Sequence, residues 1–262
     1  MLRVQPLRAF SDNYIWLLNA GTRDAVVVDP GDAQPVRAAL AAGGLRLVAI
    51  LVTHHHPDHV GGVAELRRDV PELQVFGPAS SPASCITVPL HDGDTLEVLG
   101  HRARVITVPG HTLDHIAYFV PGAGAGAAPR LFCGDTLFAG GCGRLFEGDA
   151  TMMHHSLGRL AALAPDTLVH CAHEYTLSNL RFARAVDPHN TALAAREARD
   201  AELRSRDEPT VPSTLAVELA TNPFLRCAEP AVRAAAQRHA GRELEGDHVV
   251  FGVVRAWKDV FR

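Results

Sequence analysis

The chain has 262 residues, 47% of them apolar and 21% charged, with 25 Lys and Arg against 29 Asp and Glu. At ~150 residues per domain this makes one large folded body or two smaller ones, and the apolar share excludes a wholly disordered chain. A net charge of −4 weighs against a generic nucleic-acid binder, which is expected to be basic. No apolar run nears the roughly eighteen residues of a membrane span, so no membrane partner is expected. The opening MLRVQPLRAFSDNY has no apolar core of a leader, so no secretory signal is expected. The cysteines (Cys85, Cys133, Cys142, Cys171, Cys227) are odd in number, widely spaced and without a CxxC pair. They read as free thiols of a reducing cytoplasm.

The first half reads as short strands punctuated by Gly and Pro. Strands are expected at Leu2–Leu7 and Tyr14–Asn19 around an SDN turn, and at Ala25–Val28, closed by the turn Asp29-Pro30-Gly31. Gln34–Ala42 has helical spacing and stops at Gly43-Gly44. Leu47–Val52 is apolar throughout, as a strand buried on both faces would be, and Gly62–Val70 reads as a helix. Strands follow at Gln74–Gly77, Ile86–Pro89, Thr95–Leu99, Arg104–Val108, Ile116–Val120 and Leu131–Cys133, with a flexible loop expected at GAGAGAAP (122–129). Thr151–Leu163 reads as a helix and Thr167–Cys171 as a last strand. From Glu174 onward helices dominate, which places a domain boundary near residue 173. Thr191–Arg206 carries the pairs Asp200/Arg204 and Glu202/Arg206, suited to a solvated face. In the last helix Asp247 is the expected N-cap. Val250, Val253, Val254, Trp257 and Phe261 form its apolar stripe, with Arg255, Lys258 and Arg262 off it.

The compositional anomaly is histidine: of 15, four fall within positions 54–59. The strand Leu47–Val52 ends in Thr53-His54-His55-His56-Pro57-Asp58-His59. In extended chain, residues i and i+2 point the same way, so His54 and His56 can share an ion while His55 faces away. Pro57 breaks the strand and lets Asp58 and His59 turn towards a second ion. Further candidates follow later strands: His111 in PGHTLDH, Asp135 in CGDT and His173 in CAHEY. His115 shares a turn with His111. The remaining histidines read as ordinary surface or core residues.

THHHPDH, PGHT, CGDT and CAHEY, in this order, resemble the metallo-β-lactamase superfamily. GGCGRLFEG (140–148), HEYTLSN (173–179), EPTVPSTLAVELATNPFLR (208–226) and RAWKDVF (255–261) resemble its glyoxalase II branch, the hydroxyacylglutathione hydrolases. The resemblance implies an α/β fold: a four-layer αβ/βα sandwich in residues 1–173 as the catalytic domain, and a small all-helical domain in 174–262 that binds glutathione. It implies that His54, His56 and His111 hold one metal, that Asp58, His59 and His173 hold a second, and that Asp135 bridges them. Asp29 matches a position that supports ligand histidines, although a DPG turn alone accounts for an Asp there. Two divalent ions are expected, zinc first, with iron or manganese as alternatives.

The implied reaction is hydrolysis of S-(2-hydroxyacyl)glutathione, chiefly S-D-lactoylglutathione, the second step of methylglyoxal detoxification. A metal-bridging hydroxide would attack the acyl carbon. With a thiol pKa near ~8.5 the leaving thiolate needs no general acid, and no side-chain nucleophile is required. Cys133, two residues from Asp135, reads as packing. The resemblance assigns the glutathione contacts to Tyr175, Arg255, Lys258 and the GCG loop, here Arg144 and Phe146. Eukaryotic members carry Lys and Tyr at the last two positions. Arg144 retains the cation with different geometry, whereas Phe146 has no hydroxyl to donate. The rival readings are an iron-dependent glutathione persulfide dioxygenase and a non-catalytic metal-binding protein on the same fold. Lactonases and nucleases of the superfamily share the metal motif without the glutathione residues. A cytoplasmic monomer acting on a small-molecule thioester, with no nucleic-acid partner, completes the expectation.

Overall fold

Apolar β-branched runs form the strands, and Gly, Pro and Asp end them, largely where the pattern predicts. A computed structural model describes residues 1–122 and 127–261; residues 123–126 of the expected 122–129 loop lie outside them. The chain divides into two compact units, Met1–Thr107 with Asp114–Gly134, and Val108–Leu113 with Asp135–Arg262.

The first unit opens with β1 (Arg3–Ala9) and β2 (Asn13–Asn19), an antiparallel hairpin pairing Arg3 with Asn19 and Ala9 with Asn13. β3 (Asp24–Val28) pairs antiparallel with β2. The chain crosses through α1 (Ala33–Gly43) into β4 (Arg46–Leu51), parallel to β3. Asp32 caps α1, accepting from the Gln34 amide, and Gly44 ends it in the left-handed conformation that glycine adopts without strain. A short helix that the pattern does not predict, α2 (Pro57–Val60), is opened by Pro57, and the helix expected at 62–70 follows as α3 (Val63–Asp69). Parallel β5 (Gln74–Pro78) and β6 (Val88–Leu90) complete a six-stranded sheet in the order β1-β2-β3-β4-β5-β6. Its core joins Leu17, Val27 and Ile50 to Val36 of α1 and Leu66 of α3. The unit's other strands are β7 (Thr95–Val98), β8 (His101–Thr107), β9 (Ile116–Val120) and β10 (Arg130–Gly134), paired antiparallel in succession.

The second unit begins with a hairpin that the sequence pattern misses, β11 (Leu137–Phe138) and β12 (Gly141–Cys142). Two residues per strand are too few for periodicity to register. There follow α4 (Ala150–Ala161), β13 (Leu168–Cys171), α5 (Thr176–Val186) and α6 (Thr191–Ser205). The unit ends with β14 (Ser213–Thr214), which pairs antiparallel with β13, then α7 (Leu215–Thr221), α8 (Pro230–Ala240) and α9 (Asp247–Val260). Helix α9 packs on α4 and α8, and α5 packs on α6. Phe182, Phe224 and Phe251 form an aromatic core between them.

Three expectations about the tail need correction. Gly246, not Asp247, occupies the N-cap of α9, because the Asp247 carboxylate pairs with Arg233 from the first turn. Asp200 is fully buried and pairs with Arg196 and Arg199 rather than with Arg204; only Glu202–Arg206 behaves as an exposed pair. Arg255 is 5% exposed and belongs to the buried face of α9. All five cysteines are free. Among the described residues no helix is long and apolar enough to cross a membrane.

Ile50 is fully buried in β4, the strand that leads into the histidine motif. Ile50→Ala is expected to lower unfolding stability by about 2–5 kcal/mol in denaturant titration. A change under about 0.5 kcal/mol, as at a surface position, would contradict the assignment of Ile50 to the core.

Candidate metal centre

In the first unit the chain leaves β4 at Leu51 and enters the histidine motif. Asp29, at the end of β3, has a positive φ of 53°, a conformation Asp tolerates better than most residues. Its Oδ1 accepts from the Thr53 amide at 2.7 Å, and its Oδ2 accepts from the Thr53 hydroxyl at 2.7 Å and from His59 Nδ1 at 3.0 Å. Gly31 follows in the same turn, where a Cβ would overlap the Asp58 carbonyl. That close approach is what requires glycine there.

These bonds settle which ring nitrogen can bind an ion. A carboxylate only accepts, so His59 Nδ1 carries the proton and Nε2 is the bare nitrogen of the neutral ring. The Thr53 hydroxyl spends its hydrogen on Asp29 and therefore accepts from His54 Nδ1 at 3.0 Å, which leaves His54 Nε2 bare as well. His54 Nε2 lies 3.1 Å from His56 Nδ1, and His59 Nε2 lies 3.5 Å from Asp58 Oδ2. The donor atoms of His54 and His59 lie within 4.8 Å of one another. Two donors on one tetrahedral zinc, each about 2.0–2.1 Å from it, stand roughly 3.4 Å apart. The first unit thus gathers His54, His56, Asp58 and His59 at ligand spacing. His55 turns aside, as expected, and pairs with Asp114 at 2.9 Å. His115 is fully buried and stacks on His54 with centroids 4.5 Å apart.

In the second unit, Asp135 Oδ2 stands 3.4 Å from His111 Nε2 and 3.3 Å from His173 Nε2. All three side chains are buried. His111 Nδ1 donates to the Arg144 carbonyl at 2.9 Å, so its Nε2 is the bare nitrogen. One carboxylate oxygen facing two imidazoles is the arrangement a shared ligand needs. His173 stacks on Tyr175, centroids 4.6 Å apart and rings 6° from parallel, with Phe138 edge-on to it at 5.8 Å. Each set presents neutral nitrogens and carboxylate oxygens at metal-ligand spacing, so both fit a borderline-to-hard divalent ion. Burial pushes the Cys142 thiol up to about 11 and those of Cys171 and Cys227 up to about 12, so these three offer no thiolate at neutral pH.

The expected glutathione contacts also lie in the second unit. Arg144 and Phe146 are exposed, Phe146 standing edge-on to His111 at 5.2 Å, and Tyr175 is 38% exposed. Arg255 donates Nη1 to the Cys142 carbonyl at 2.9 Å and Nη2 to Asp259 at 3.1 Å. Lys258 donates to the carbonyl and hydroxyl oxygens of Ser178, both at 3.2 Å. Sequence reasoning missed Thr53, Asn13, whose amide donates to Asp58 at 3.0 Å, and Asp259, 3.5 Å from Arg144. The SDN turn and the RAWKD run held the signal for the last two, but there it reads as turn chemistry and as a cation pair.

Asp29→Asn keeps the shape and removes the charge that orients His59. It is expected to lower divalent-metal affinity by about 10–100-fold, measured by chelator competition, as loss of an outer partner typically does. Unchanged affinity would show that the Asp29 contacts orient nothing.

Two family models cover the chain. Residues 9–75 and 78–173 match the metallo-β-lactamase superfamily, and residues 174–261 match the hydroxyacylglutathione hydrolase C-terminus. Hydroxyacylglutathione hydrolases from Pseudomonas aeruginosa and Cupriavidus taiwanensis are each 54% identical, with 100% of both chains covered. Among solved structures, ETHE1 from Myxococcus xanthus superposes with a TM-score of 0.64 at 24% identity over 98% of each chain, and shows the shared fold. TTHA1623, crystallised in a di-iron-bound form, superposes with a TM-score of 0.60 at 28% identity over 85% of this chain and 100% of its own. With both family models and full-length relatives in agreement, the chain belongs to the hydroxyacylglutathione hydrolase family of the metallo-β-lactamase superfamily.

Proposed function

We propose that this chain hydrolyses S-(2-hydroxyacyl)glutathione thioesters, chiefly S-D-lactoylglutathione, to glutathione and the hydroxy acid. The observation that carries the reading is that the metallo-β-lactamase match passes at residue 174 directly into the hydroxyacylglutathione hydrolase C-terminus. In this reading residues 1–173 are the catalytic domain and 174–262 the helical glutathione-binding domain. His54, His56 and His111 would hold one divalent ion, Asp58, His59 and His173 a second, and Asp135 would serve both. Two such ions supply an activated water as nucleophile and a Lewis acid for the acyl oxygen. Zinc is the first assignment. Iron is the principal alternative, supported by the di-iron form of TTHA1623.

The chain's own part is to orient donors and bind the thiol half of the substrate. Asp29, Thr53 and the Arg144 carbonyl fix the histidine tautomers. Glutathione brings two carboxylates, and Lys258 with Arg144 offers cations to them. Arg255 is committed to Cys142 and Asp259, so in this reading it adds positive charge and holds the GCG loop. Tyr175, stacked on His173, sets its ring beside that ligand. Full-length hydrolase relatives and the helical C-terminus favour this chemistry over the iron-dependent persulfide dioxygenase. A cytoplasmic monomer completes the proposal.

Purified protein is expected to bind two equivalents of metal by elemental analysis and to deplete the thioester absorbance of S-D-lactoylglutathione. His54→Ala is expected to be slower by more than the roughly 10–100-fold typical of outer partners. No turnover above that variant, or oxygen uptake in its place, would reject the proposal.

Lys258 gives the pH dependence. Burial, and after it the neighbouring charges of Arg255, Arg181 and Arg144, bring its ammonium down to about 8, with Asp259 opposing. Below that value Lys258 is a cation for a carboxylate; above it the amine is neutral and the attraction is lost. KM for the thioester is therefore expected to rise several-fold from pH 7 to pH 9, and Lys258→Arg to flatten the rise. A parent KM flat over that range would contradict a binding role for Lys258.

A further inference from the structure

The tail contains a buried ionic network that the proposed reaction does not use. Glu218 and Asp200 are fully buried and Arg196 is 4% exposed. Arg196 donates to Glu218 Oε1 at 2.6 Å, to the Thr221 hydroxyl at 2.7 Å and to Asp200 at 3.3 Å. Glu218 Oε1 also accepts from the Ser213 hydroxyl at 2.5 Å. A buried carboxylate is costly unless paired and fully hydrogen-bonded, and this one is both. Its second oxygen faces a different element. Oε2 accepts from the Gly140 amide at 2.8 Å and from the Asn222 amide at 3.2 Å.

Gly140 is the tip of the β11–β12 hairpin, and the surroundings grip that hairpin by its backbone. Asn222 donates to the carbonyls of Phe138 and Gly141 at 3.2 and 2.9 Å, and Asn179 donates to that of Ala139 at 3.1 Å. Gly140 has φ +67°, and a Cβ on Gly141 would overlap the Asn179 carboxamide. Beyond the hairpin the chain runs back against Asp135 and Thr136, the residues that enter it. The Gly143 amide donates to the Thr136 carbonyl at 3.2 Å, and a Cβ on Gly143 would overlap the Asp135 carbonyl. The next carbonyl, that of Arg144, accepts from His111 Nδ1.

We propose that Glu218 is a positioning residue: through the Gly140 amide it fixes the 137–142 hairpin, and through that hairpin the Arg144 carbonyl that orients His111 beside Asp135. The chemistry requires a carboxylate rather than an amide. Arg196, the Gly140 amide and the Asn222 NH2 only donate to Glu218, and the Arg196 charge draws the carbonyl oxygen of a glutamine to its own side. The glutamine NH2 then opposes the Gly140 and Asn222 donors, so Glu218→Gln releases the hairpin without changing volume.

The test compares Glu218→Gln with Thr221→Val, which weakens the same network on the side of Arg196 that bears no bond to the hairpin. Zinc affinity of each folded protein is measured by competition with a chromophoric chelator, using zinc alone, and kcat is measured on metal-saturated enzyme. Glu218→Gln is expected to lose about tenfold or more in affinity for the weaker zinc and in kcat, as disturbed outer partners do. Thr221→Val is expected to stay within about twofold of the parent in both, whatever its loss in Tm. If Glu218→Gln does not fold, Asn179→Ala, which removes a single bond to the hairpin, is expected to show the same two losses at about threefold or more. Parent-like zinc affinity and kcat in the folded hairpin variant, or equal losses in Thr221→Val, would overturn the proposal. Only the kcat arm rests on the hydrolase reading. Absence of turnover in the parent would defeat that reading and leave the zinc arm to decide the role of Glu218.

Discussion

An imidazole can bind a cation through one nitrogen only when its other nitrogen holds the ring's proton, and that proton needs an acceptor. Much of this structure follows from meeting that constraint away from bulk water. Asp29 accepts from Thr53 and His59, Thr53 in turn accepts from His54, and the Arg144 carbonyl accepts from His111. Each bond points an Nε2 towards carboxylate oxygen or another ring at 3.1–3.5 Å. The turn at Asp29, with its positive φ and Gly31 packed close behind it, is local strain accepted to place one carboxylate against both Thr53 and His59.

The histidine and aspartate motifs were legible because their chemistry is concentrated. A HxHxDH run after an apolar strand has few structural uses, and His111, Asp135 and His173 each follow a strand with a turn residue nearby. Unbroken local apolar runs located most strands of the first unit because β2, β3 and β4 are buried along nearly their whole length. Local pattern failed where the informative contacts are distant in sequence. Asp200 and Arg204 read as an exposed i,i+4 pair, but the same Asp stands four residues after Arg196 and turns inward to it. Arg255 looked like a surface cation, yet its guanidinium reaches a carbonyl 113 residues away. The 137–142 hairpin is held by Glu218, Asn222 and Asn179, so no local pattern announces it.

The cations of the tail show how structure revises a motif without discarding it. Arg144, Lys258 and Arg255 share one carboxylate partner, Asp259, through direct pairs or charge. Positive charge so concentrated suits an anionic ligand, but the three residues are not equivalent. Arg144 is open to solvent, Lys258 is tied to Ser178, and Arg255 is built into the interior. Alanine at Arg255 would remove packing and a loop anchor along with a charge, whereas Arg144 can be changed with little structural cost.

In the proposed site His54, His56, Asp58, His59, His111, Asp135 and His173 would hold two ions with one carboxylate in common. Anomalous diffraction from crystals of metal-loaded protein tests it most directly. Two strong peaks are expected, one ringed by His54, His56 and His111 and the other by Asp58, His59 and His173, each within coordinating distance of Asp135. A single peak, or two peaks that leave Asp135 or any of these histidines uncoordinated, would contradict it.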